Sequence, residues 1–118
     1  MTDTDARTTP HLADAARLAN LEDWGPLDEA TGPEMLTSGV TLWSDDGKEV
    51  GVWECTPGPS RWLLETHEFV TVVAGSMTVT VDDGEPVHLA VGDTAVFEKG
   101  WAGTWEIHDT LRKLYVIF

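Results

Sequence analysis

The chain is poor in positive charge and poorer still in cysteine. Seven Lys and Arg stand against 21 Asp and Glu, for a net charge of -14. Nucleic acids and anionic membrane surfaces recruit clustered Lys or Arg, so neither is an expected partner. The acidity itself reads as a soluble, self-repelling surface. A single cysteine, Cys55, excludes an internal disulfide framework and suits a reducing cytoplasm. No activating His or Lys stands beside it, so it reads as a buried packing thiol and not a nucleophile. No apolar run approaches the ~20 residues of a membrane span, and the polar start does not have the form of a signal peptide. The chain has no internal repeat and no Gly-rich phosphate loop. At 118 residues it has room for one domain with one core.

What is present is regular alternation. Residues 1–10 are Thr, Asp and Arg around Pro10 and are expected to be a disordered tail. Residues 11–34 read as a strap. One short, weakly amphipathic helix is expected over His11–Leu21, with Leu12, Ala15, Ala16 and Ala19 on one side. The breakers Trp24-Gly-Pro-Leu and Thr31-Gly-Pro then carry the chain across the surface, with Trp24 pinning it. Residues 35–118 are continuous β pattern. Strands are expected near Met35–Trp43, Glu49–Thr56, Arg61–Thr66, Glu68–Ala74, Met77–Val81, Val87–Ala90, Thr94–Glu98, Thr104–His108 and Leu111–Phe118. Gly, Pro and Asp turns separate them, and Gly75-Ser76 reads as the junction of the two central runs. Short antiparallel strands at this spacing predict an all-β fold, a closed barrel or jelly roll without exposed edges.

Thr56–Phe118 resembles the cupin superfamily, and above all the short cupin domains of ureidoglycine aminohydrolase and of an ethanolamine-utilisation protein. The residues that carry the resemblance are Gly51-Val-Trp-Glu54, Pro57-Gly58, Glu68-Phe69, Gly75, Val91-Gly-Asp93, Lys99-Gly100, Gly103-Thr-Trp-Glu106 and Arg112-Lys-Leu-Tyr115. They cover about the last two-thirds of the chain. The resemblance implies a jelly-roll barrel, a homodimer, and in most members a metal held by three His and one Glu. Glu68 and Gly75 match the second half of the first cupin motif. Trp62 and Leu64 occupy its two His positions; with a longer spacing Arg61 and Leu63 do, and neither spacing supplies a histidine. The second motif runs from Gly92 through Glu98 and Gly100 and places Gly103 at the third His.

A lone carboxylate does not hold a transition metal, which needs three or four converging donors. The cofactor expectation is therefore none. The alternative is a Mn-type hydrolase or lyase, as the ureidoglycine resemblance implies, with His67, His88 or His108 rebuilding a site beside Glu68. In the cupin register Trp62, Leu64, Glu68, Val70, Gly103 and Trp105 face inward, an apolar aromatic cup suited to a small organic molecule. Gly103 is expected to leave space in it and Trp101 to form a rim. Glu68 is the candidate general acid or base, and the competing reading is an ion pair with Lys99, Arg61 or Lys113. His67 beside it is a candidate base at the mouth. Lys113 and Tyr115 share a strand face and join Lys99 as candidate ligand contacts. Trp43 and Trp53 read as core. A non-catalytic accessory role is the third reading, which a plugged barrel would favour.

Overall fold

Eight antiparallel strands, with no helix beyond a single 3-10 turn, make up the described residues 7–118 of the computed structural model. They are β1 (Glu22–Pro26), β2 (Leu36–Asp45), β3 (Lys48–Cys55), β4 (Gly58–Leu63), β5 (Glu68–Val81), β6 (Pro86–Ala90), β7 (Thr94–Phe97) and β8 (Ala102–Ile117). The expected all-β jelly-roll architecture is the one observed. The first six residues of the expected tail lie outside the described ones.

Two long strands carry the topology. β8 pairs along its length with β5, with β4 beside its first half and β3 beside its second. β5 in turn takes β7 beside its first half and β6 beside its second. The path β1-β2-β3-β8-β5-β6 is thereby completed by β4 and β7.

Both long strands were expected as pairs of shorter ones, and Gly75 explains the difference. Its φ is +74°, and a Cβ there would stand 2.2 Å from the Thr110 carbonyl oxygen. A left-handed glycine of this kind makes a bulge in a continuing strand as readily as a reversal. The register with β8 shifts three times between Val72 and Met77, and across these shifts the buried face of β5 changes from Glu68, Val70 and Val72 to Met77 and Val79. Below it lie Trp105, Phe97, Ile107, Leu111 and Met35, all essentially excluded from solvent. Each such side chain contributes roughly 1.5–3 kcal/mol of burial.

The strap differs from expectation at two points. The helix over His11–Leu21 is reduced to one turn, Ala15–Arg17, preceded by Asp14 in the left-handed region. A short helix with so small an apolar face does not offset its nucleation cost. Arg112 supplies the missing donors instead, giving Nη1–H to Ala15 O at 3.2 Å and Nη2–H to Leu18 O at 2.9 Å. Further on, Glu22–Pro26 is a strand and not a loop, paired to β2 with Glu22 opposite Gly39. Residues 27–35 then run beside β4, where Thr31 N–H donates to Pro59 O and Arg61 N–H to Glu29 O.

Candidate functional site

The inner face of β3, β8 and β5 presents three cross-strand rows. Glu49, Ile117 and Glu68 form the first. Gly51, Tyr115 and Val70 form the second, and Trp53, Lys113 and Val72 the third. Period-two geometry thus brings Glu49, Trp53, Glu68, Lys113, Tyr115 and Ile117 to one wall. Trp24 from β1 and Trp62 from β4 close it into a cavity of about 220 Å³.

Glycines open the way for the rings. A Cβ at Gly39 would stand 2.4 Å from Trp24 Cζ3, so only glycine lets the benzo edge of the indole come this close to β2. A Cβ at Gly51 would stand 2.8 Å from the Tyr115 hydroxyl, so the phenol crosses β3 over bare backbone. Trp24 pins the strap as expected and also lines the cavity. Trp62 is fixed twice: its Nε1–H donates to Ser60 Oγ at 2.8 Å, and its ring stacks on Trp105 at 4.5 Å between centroids.

The electrostatic centre is Glu68 and Lys113. Lys113 Nζ donates to Glu68 Oε2 at 2.7 Å, with Lys113 only 4% and Glu68 8% exposed. The same ammonium lies 4.4 Å from the centroid of Trp53 and 4.5 Å from that of Trp105. A buried cation so placed gains from one carboxylate and two ring faces. Of the three ion-pair partners expected for Glu68, Lys113 is the one found. Arg61 instead makes two 2.6 Å hydrogen bonds to Asp82, which hold the Asp82 carboxyl below its usual range.

At the other end of the first row, Tyr115 OH donates to Glu49 Oε2, and Thr41 Oγ1 donates to the same oxygen at 3.4 Å. Burial, and then the Glu49 carboxylate, push the Tyr115 phenol pKa up. The phenol is thereby kept as a donor. Cys55 is fully buried, and burial raises its thiol to about 11 against an opposing pull from Lys113. That is the inert thiol expected of it.

The other expected site residues are placed elsewhere. Trp105 is 0% exposed beneath Trp62, and its Nε1–H has no hydrogen-bond partner among the described residues. Leu64 packs at the side of the core, where its N–H donates to Trp101 O at 2.9 Å. Gly103 leaves no space: a Cβ there would stand 2.2 Å from Thr80 O and 2.7 Å from Trp101 Cη2. Trp101 itself is no rim. It packs against Phe97 and Trp105 as part of the core wall. Lys99 is exposed, and its N–H donates to His67 Nδ1 at 3.0 Å. His67 also lies on Phe118, with centroids 5.2 Å apart, and does not line the cavity.

His88 and His108 meet on the solvent side, where Thr78 Oγ1 bonds His108 Nε2 at 2.7 Å. Neither histidine joins Glu68. No group of three His, Cys, Asp or Glu side chains is disposed to hold a metal among the described residues.

The cavity residues not foreseen are Trp24, Glu49, Trp53 and Ile117. Glu49 and Trp53 were within reach, since they share the period-two face of Gly51 and Cys55 on one strand. Trp24 and Ile117 depend on which strands become neighbours.

Residues 43–115 match the model of the EutQ-like cupin domain. Among curated proteins the chain has no match. Among solved structures it is similar to a protein of unknown function of the DUF861 family from Pseudomonas syringae, with a TM-score of 0.78 and 24% identity. That match covers 86% of this chain and 45% of the other, so the chain spans less than half of that neighbour's length. The EutQ protein of Clostridium difficile is similar at a TM-score of 0.67 and 22% identity, over 79% of this chain and 75% of that one. A DUF861 protein from Thermotoga maritima is 30% identical over 57% of this chain and 76% of its own, with a TM-score of 0.55. The family model runs from the end of β2 into β8 and takes in the whole of β3, β4 and β5, and the protein belongs to the EutQ-like cupin domain family.

Proposed function

We propose that this cupin binds a small organic molecule in the cavity between Trp24, Trp53 and Trp62. The Glu68–Lys113 pair is its directed polar contact and the group through which a proton is transferred. The observation that carries this reading is a hollow of about 220 Å³ lined by three indoles and a buried, 2.7 Å carboxylate–ammonium pair. Small-molecule sites are concave and largely apolar with a few converging polar groups, and drug-sized ligands take ~300–1,000 Å³. This hollow suits something smaller. Its existence also weighs against a purely accessory role, which a filled barrel would favour.

The alternative of a Mn-type hydrolase does not fit the donors. Glu68 is the one carboxylate retained from the motif, and its Oε2 already faces an ammonium at 2.7 Å. That charge repels a divalent cation at the same oxygen.

The test is a panel of small amines, alcohols, amides and carboxylates titrated into the protein, read by indole fluorescence and by thermal shift. Binding by at least one member, weakened by Glu68→Gln and by Trp62→Ala, is expected. No response to the whole panel, or binding that both variants leave intact, refutes the reading. A homodimer is part of the same proposal. Val50, Val116, Phe69 and Val96 form one apolar cross-strand row on the outer face of β3, β8, β5 and β7. A second copy suits that row, and sedimentation showing only monomer at micromolar concentration refutes it. A reducing cytoplasm is the proposed setting for the free, buried Cys55. Among the described residues no helix is long and apolar enough to cross a membrane.

A further inference from the structure

We infer that the ligand of this cavity is a small organic cation, an amine or quaternary ammonium held between the indoles and Glu49. The inference rests on the cavity being the binding site.

The charges that line the cavity are two carboxylates and one ammonium: Glu49, Glu68 and Lys113. Lys113 is already paired, bonded to Glu68 at 2.7 Å and lying over Trp53 and Trp105. It therefore compensates Glu68 and is not an anchor for an incoming anion. Glu49 is different. Its hydrogen-bond partners are the Tyr115 and Thr41 hydroxyls, both neutral, and no Lys, Arg or His ion pair to it is among those of the described residues. The phenol stays protonated because burial and the neighbouring carboxylate oppose its ionisation. The Glu49–Tyr115 unit thus carries one uncompensated negative charge at the cavity wall.

The aromatic lining acts in the same direction. Indole faces carry a negative quadrupole and attract cations, alkylammonium groups among them. The protein shows that these rings accept one, since Lys113 Nζ sits 4.4 Å from the Trp53 centroid. An anion entering the same space would meet three indole rings, an unpaired carboxylate and the field of a chain of net charge -14.

The rows also give the ligand a direction. Glu49 and Glu68 flank Ile117 from opposite sides. Two strand spacings put their backbones about 10 Å apart. A cationic head at Glu49, Tyr115 and Trp24 leaves the Glu68–Lys113 pair for a hydroxyl or amide at the other end. The chemistry expected is a compact cation with one hydrogen-bonding group.

Three probes of one shape separate charge from fit: choline, its neutral isostere 3,3-dimethylbutanol, and the anion 3,3-dimethylbutanoate. Each is titrated into the full chain and followed by indole fluorescence and calorimetry. Choline is expected to bind about tenfold or more tighter than the neutral isostere, the scale of a desolvated cation–π and carboxylate contact. The anion is expected not to bind. Glu49→Gln should narrow the choline-to-isostere ratio to below about threefold. Glu106→Gln removes the same unit of charge from an exposed site on the outer face and should leave the ratio unchanged. A neutral or anionic probe that binds as tightly as choline overturns the inference while leaving the small-molecule reading intact. Failure of all three probes also overturns it, and the small-molecule reading then falls only if the wider panel fails as well. A ratio that Glu106→Gln lowers as much as Glu49→Gln does assigns the preference to net charge and overturns the site.

Discussion

Replacing Lys113 by Met removes an ammonium and keeps most of the volume beside Trp53 and Trp105. What it leaves behind sets the size of the effect. Glu68 is only 8% exposed, and its Oε2 bonds Lys113 Nζ at 2.7 Å. Breaking a buried pair by removing one partner costs about 3–5 kcal/mol, because the remaining charge keeps its desolvation penalty without its compensation. Loss of the cation from over two indoles acts in the same direction, offset in part by Met sulfur against the rings. Domains are stable by only about 5–15 kcal/mol, so Lys113→Met should remove a large share of the total. Urea denaturation is the assay, with a fall in thermal midpoint of roughly 10–20 °C as the companion signal. The paired variant Glu68→Leu/Lys113→Met removes both charges and should lie within about 1 kcal/mol of the parent or above it. The reasoning fails if Lys113→Met costs less than about 1 kcal/mol, which would mean that the pair is effectively solvated. It also fails if the double variant costs the sum of the two single ones.

Three further outcomes follow from other parts of the barrel. Tyr115 is the chain's one tyrosine, so the tyrosinate absorbance band reports it alone. Its folded pKa is raised above the ordinary 10.0, so the stability it contributes is present below that pH and lost as pH rises above it. The band should appear only together with alkaline unfolding, and a simple titration near pH 10.0 in folded protein contradicts the burial of the phenol and, with it, the Glu49 contact. The Cys55 thiol, raised from 9.0 to about 11, should resist an aromatic disulfide reagent at neutral pH until denaturant is added, and stability should fall as pH climbs between those values. Prompt labelling of the folded protein refutes its burial. Gly75→Ala should cost about 3 kcal/mol or more, since strain at φ +74° is joined by a 2.2 Å clash with Thr110 O. Gly100→Ala, at φ +95° with nothing within 4 Å, should cost only about 1–2 kcal/mol in the same thermal melts. Equal costs at the two positions would remove the bulge argument.

The β pattern was legible from Met35 onward because period two and the Gly, Pro and Asp turns are local signals. Gly75 was legible as a special position and misread in kind. A left-handed glycine serves a turn or a bulge equally well, and only the Thr110 carbonyl pressed against it decides between them. The strand at Glu22–Pro26 was hidden for the opposite reason. It is five residues long and carries Gly25 and Pro26, so its pairing with β2 depends on tertiary contact and not on propensity. In the site, Glu68, Lys113, Tyr115 and Trp62 follow from face alternation. Gly103 shows where that logic stops. The register placed it inward, but the neighbouring Trp101 indole fills the space its missing side chain would have left, and no one-dimensional pattern predicts how a loop tryptophan folds back.

A carboxylate that faces the inside of a small barrel has to be matched by positive charge, because burying it alone costs several kcal/mol. The cupin motif that Glu68 resembles meets this requirement with a metal and three histidines. Here Trp62 stands at one of those positions and is tied to Ser60, and Gly103 at another lies under Trp101. The positive charge comes instead from Lys113, two strand residues from Tyr115 on the same face of β8. One ammonium is a point charge with fixed reach, whereas a metal gathers several donors, so the wall beyond Lys113 stays free for rings. Glu49 then becomes the second acid at the cavity without a cation of its own, at the far end of the same row. On this argument the two acids are not interchangeable. Glu68→Gln should disturb Lys113 and stability first, whereas Glu49→Gln should leave the fold nearly as stable and change the charge of ligand accepted. Denaturation and probe titration on the two variants separate these effects, and a Glu49→Gln protein that loses as much stability as Glu68→Gln contradicts the assignment.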